Sequence, residues 1–215
     1  MCFSADVSLT TFLIGFTASI ILYFKVKSID IKITALFLAY VSSMQLIEFL
    51  LWKNQECNEI NKTISYIGMW LNHLQPIVLA ILVLVMSKTP NILGIIAISI
   101  AYLAVFIPYS LQYKNTEDLR CSTRHADNPH IIWNWNLLEN NYIVYPVFLF
   151  TLCCVPFLGF SLRTNAYIFA VYGFITYTAS VFLYREKDVI GSMWCLFSAV
   201  VPPVFLLSTY RVVPN

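Results

Sequence analysis

Three polar side chains recur along one face of an otherwise apolar stretch, SSMQLIEFLLW: Ser42, Gln45 and Glu48. Their i, i+3, i+6 spacing places them together if the stretch is helical. A carboxylate at the centre of a bilayer costs at least ~2.5–3.5 kcal/mol on insertion scales, so an acid in such a run points to function. The plain alternative is a boundary glutamate, its head in the interface beside Lys53. A second group follows in MWLNHLQPI, where Asn72, His73 and Gln75 fall within one turn and Pro76 comes next. Proline frees the carbonyl four residues back, that of Asn72. Helical rise puts this group about 13–16 Å deep, overlapping Gln45 and Glu48. Gln45, Glu48, Asn72, His73 and Gln75 are therefore a candidate binding cluster for a small polar solute, in the outer half of a membrane. Asn and Gln also serve as plain glue between helices. Cys2 adds a thiol near the same side, and Cys2, Glu48 and His73 form a candidate ligand set for a transition metal such as zinc.

The elements that must position these groups follow from composition. Of 215 residues, 59% are hydrophobic and 11% charged, against about 25% charged in a soluble domain. So few charges cannot cover a water-facing surface, and the apolar residues fall in blocks of about 20, the length of a bilayer span. Backbone polar groups in lipid must pair internally, so each block reads as helix. The expected fold is all-α: one polytopic domain over 1–215, a bundle of seven transmembrane helices near 5–24, 32–52, 64–86, 91–112, 142–162, 166–184 and 189–210. A long outside loop covers about 113–141. Within it, WNWN (Trp133–Asn136) reads as an interfacial or re-entrant segment over the pocket mouth.

Short loops dense in Lys and Arg hold Lys25, Lys27, Lys32, Lys88, Arg163 and Arg211. The positive-inside rule makes these cytoplasmic, with the N-terminus outside or lumenal and the C-terminus inside. Cys57 and Cys121 then both lie outside, where an oxidising compartment could join them. Cys153, Cys154 and Cys195 lie within spans and read as small packing residues. Cys121, His125 and His130 could bind a metal, although a solvated cap is the simpler reading of that loop. Asn61-Lys62-Thr63 is a glycosylation sequon close to the membrane. Net charge is +2 without a basic run, so nucleic acid is not an expected partner. The expected partners are the lipid bilayer, a small solute or metal ion, and a second copy of the chain in a homo-oligomer.

The opening MCFSA resembles a family of multi-pass membrane proteins of unknown function, found in bacteria and in large DNA viruses of protists. MQLIEFLLW is similar to a second-span segment of that family, with Gln45, Glu48 and Trp52 at matching places and Phe49 where a glycine is expected. The resemblance implies seven helices and a shared site near Cys2 and Glu48, and it implies no activity. No His-Glu-x-x-His run, Gly-x-Ser-x-Gly elbow or glycine-rich phosphate loop occurs. Three classes remain: a binding or transport protein, a membrane-embedded enzyme using Glu48 with His73 or a metal, and a structural membrane component.

Overall fold

The computed structural model describes residues 4–124, 130–184 and 189–211, with side chains to residue 206. Among the described residues eight α-helices carry the fold: α1 (Ala5–Lys25), α2 (Ile29–Lys53), α3 (Glu59–His73), α4 (Gln75–Met86), α5 (Ile92–Asn115), α6 (Asn141–Gly159), α7 (Arg163–Leu183) and α8 (Ile190–Arg211). Five of them, α1, α2, α5, α6 and α7, are each long and apolar enough to cross a membrane. The helices α3 and α4 meet the same test as a pair, bent by 48° at their junction, which makes them a broken span or a re-entrant hairpin. In α8 the apolar part, Ile190–Leu206, is shorter. Of the seven spans expected from the sequence, the described residues thus show five, or six if the bent pair is one span.

The break has a cause in the chain. Leu74 leaves the helix, and Pro76 sits in the first turn of α4, where its missing N–H costs nothing. Carbonyls at the break then need donors from elsewhere, since lipid offers none. The Tyr40 hydroxyl donates to the Leu71 carbonyl at 2.8 Å, and the Tyr102 hydroxyl to the His73 carbonyl at 2.6 Å. Two other helices therefore hold the bend open.

α2 is the centre of the bundle. It packs on α1, α3, α4 and α8, and 61% of its apolar window is buried, against 17% for α7 at the periphery. The crossing of α1, α2 and α8 is close: a Cβ on Gly15 would lie 2.5 Å from the Ala199 carbonyl oxygen and 2.7 Å from Ser42 Oγ. Only glycine fits there. α1 starts at Ser4, whose Oγ accepts from the Val7 N–H at 3.3 Å, with Asp6 in the first turn, as its sequence suggests. α7 has no cap of its own. Asp30 of α2, 2% exposed, supplies it from across the bundle: its carboxylate accepts from the Ser161 and Leu162 N–H groups at 2.9 and 3.0 Å and from Asn165 Nδ2 at 3.0 Å.

The other end of the bundle carries a disulfide between Cys57 and Cys121, with Cα atoms 5.6 Å apart. Asn61 stands beside it, fully buried. Its Nδ2 donates to the carbonyls of Asn54 and Ser122, and its Oδ1 accepts from the Ser122 N–H. An amide so enclosed cannot carry a glycan, so the sequon is a structural staple here. The bonded Cys121 cannot supply a thiolate to a metal; His130 is buried, edge-on to Tyr184, and His125 lies outside the described residues. The described part of the long loop is more than a solvated cap. After a two-residue antiparallel pair, β1 (Thr123–Arg124) with β2 (Ile131–Ile132), it enters the bundle as a 3-10 turn over Asn134–Leu137. Trp133 and Trp135 are fully buried and stacked at 5.0 Å, and the Tyr109 hydroxyl donates to the Trp135 carbonyl at 2.5 Å.

Candidate buried polar site

The polar face of α2 turns inward: Ser42, Gln45 and Glu48 are all fully buried. Ser42 is satisfied within its own helix, donating to the Leu38 carbonyl at 2.8 Å. Gln45 and Glu48 are each engaged in interactions of their own. At the broken span, Asn72, His73 and Gln75 are at most 2% exposed. The bend brings these three to the centre of the bundle instead of spreading them along a straight helix.

Asn72 is the hub. Its Nδ2 lies 3.1 Å from His73 Nδ1 and donates to the Tyr145 hydroxyl at 3.2 Å. Its Oδ1 accepts from Gln75 Nε2 at 3.4 Å and from Cys195 Sγ at 3.8 Å. Tyr145, on α6, in turn donates to Asn136 Oδ1 at 2.7 Å. A continuous chain thus runs Asn136–Tyr145–Asn72–Gln75. With the amide donating to Nδ1, the neutral imidazole carries its proton on Nε2. That nitrogen is enclosed and has no hydrogen-bond partner among the described residues. The His73 ring stacks on Tyr109 at 4.9 Å and meets the edge of Tyr145 at 5.3 Å.

All five residues expected to bind a ligand are therefore buried. Asn72 joins His73, Gln75 and Cys195 directly, while Gln45 and Glu48 lie buried on the inward face of α2. Among the described residues His73 pairs with Asn72 through Nδ1, and its Nε2 meets no carboxylate. Cys2 lies outside the described residues. Among those described, no three His, Cys, Asp or Glu side chains gather as a metal site. The sequence reading missed Asn136, Tyr145 and Cys195. Cys195 looked like packing, and Asn136 looked interfacial, because only the folded loop carries it inward.

Two cavities border the cluster. One of about 790 Å³ opens at the disulfide end among α6, α7, α8 and the 3-10 turn, and Asn136 and Tyr145 form part of its wall. The other, of about 190 Å³ and almost wholly apolar in its lining, lies toward the Asp30 end among α2, α7 and α8, and reaches Gln75. The class these features define is an all-α, multi-pass membrane protein with a polar site buried at a broken helix. Compared with known proteins, the chain matches no family model, no curated protein and no solved structure.

Proposed function

We propose that this protein binds a small polar solute at the buried cluster, reached from the cavity at the disulfide end. The observation that carries this is the chain Asn136–Tyr145–Asn72–Gln75, which leads from that cavity to the broken helix. Helix glue needs its donors and acceptors closed against one another. Here His73 Nε2 is left over, and both ends of the chain reach cavities. Amides and a hydroxyl present donors and acceptors together, which suits a neutral solute with hydroxyl or amide groups; Glu48 adds an attraction for a cationic one. Extending α8 through Arg211 gives the seventh span of the expected bundle. The disulfide supports an outside location for its end, since such bonds persist in oxidising compartments. The N-terminus is then outside, the C-terminus inside, and the larger cavity faces outward.

A zinc-loaded site is the second reading; it needs the Asn72 amide turned so that Nδ1 carries the proton and the enclosed His73 Nε2 is free to ligate. Glu48 and Cys2 would complete its ligands. One experiment separates the two. Purified protein is assayed for bound metal and by thermal shift against polyols, amides, amino acids and zinc. Stabilisation by an organic solute, lost in Asn72→Leu and Glu48→Gln, supports the first reading. Stoichiometric zinc, lost in Cys2→Ser, supports the second. No metal and no response in any panel member leaves the cluster as helix glue.

A further inference from the structure

Among the described residues one side chain, Trp194 of α8, lines both cavities. It is 4% exposed. Its Nε1 donates to Thr176 Oγ1 on α7 at 2.9 Å, and its ring meets Phe148 at 5.6 Å and Tyr177 at 5.5 Å, both edge-on. Trp194 thus forms a shared wall, a partition, between the two cavities. On one side lies the larger cavity with Tyr145; on the other lies the smaller cavity with Gln75. The hydrogen-bond chain passes around this partition through Asn72, so polar contacts for a solute exist on both faces of it.

We infer that the two cavities are halves of one route across the membrane, and that Trp194 is the gate between them. This rests on the solute-binding reading and extends it from a one-sided receptor to a conduit for small hydrogen-bonding solutes. The gate's latch lies on the least buried of the five single-helix spans, α7. Few packing contacts hold such an element, so it opens at low cost. A small outward shift of α7 withdraws Thr176, frees the indole and joins the cavities. The apolar lining on the Asp30 side slows a hydrated ion far more than a neutral solute, because ion desolvation is the larger barrier.

The test is side-specific labelling of full-length protein in sealed vesicles. Ser198, 9% exposed, lines only the smaller cavity. A Ser198→Cys protein is treated with a membrane-impermeant thiosulfonate from the disulfide side, and modification of that residue is read by peptide mass spectrometry. With Trp194 intact, modification from this side is slow. With Trp194→Ala it rises at least about tenfold, as a minor open state becomes dominant. Thr176→Val, which keeps the indole and removes its latch, gives a smaller rise and carries the test should Trp194→Ala fail to fold. Unchanged labelling in both variants, with the disulfide and melting temperature retained, overturns the gate. Solute stabilisation of the wild-type protein would survive that result, so the two proposals fail separately.

Discussion

Asn72 satisfies four neighbours with one side chain, and removing it leaves groups that lipid cannot satisfy. A buried orphan costs about 1–3 kcal/mol, while single interhelical bonds in membranes average only about 0.6 kcal/mol. The hub position argues for the upper range. Asn72→Leu is expected to lower the thermal midpoint in detergent by several degrees, whereas Glu48→Gln leaves it unchanged and loses only the solute response. Equal destabilisation by both would refute a binding role for Glu48. The burial of Glu48, Asn72, His73 and Gln75 was legible because a helical period puts Gln45 and Glu48 on one face and Pro76 marks its own effect. The roles of Tyr145 and Asn136 were not, since no local period links a loop amide to a helix 64 residues earlier in the chain.

At the scale of elements, the helices themselves could be read from apolar blocks, while the joints between them could not. Pro76 announced a freed carbonyl, but the 48° bend depends on Tyr40 and Tyr102 arriving from α2 and α5. The bend inside the span expected over 64–86 was not legible for that reason. The same lesson holds at α7, whose own sequence offers no N-cap. Asp30→Ala is expected to cost about 1–2 kcal/mol, in the range of a lost helix cap. Hydrogen exchange should show it first, as lost protection of the Ser161 and Leu162 amides while α2 stays protected. Unaltered exchange at those amides would mean that Asp30 contributes nothing to docking α7.

The whole molecule is closed at one end by covalent and polar links together. The disulfide ties the start of α3 to the long loop across 64 residues, and the buried Asn61 ties the same two segments again. Chain entropy alone would assign such a bond about 4 kcal/mol. The membrane already confines both segments, so a Cys57→Ser, Cys121→Ser pair is expected to lose less, nearer about 2 kcal/mol. The loss should appear as protease sensitivity of the long loop, with the helices intact. Cleavage rates equal to wild type would show that the Trp133–Trp135 plug holds without its bond.

The carboxylate of Asp30 also sets an order of events in time. The amides it caps come 131 and 132 residues later in the chain. At translation rates of 5–20 residues per second, roughly 7–26 s separate the synthesis of the two partners. During that interval the ribosome delivers the rest of α2 and then α3 to α6 while Asp30 waits for its partner. α7 is then recruited by a partner made long before it, and a chain stalled ahead of Ser161 leaves a hydrated acid at a seam that nothing has yet closed.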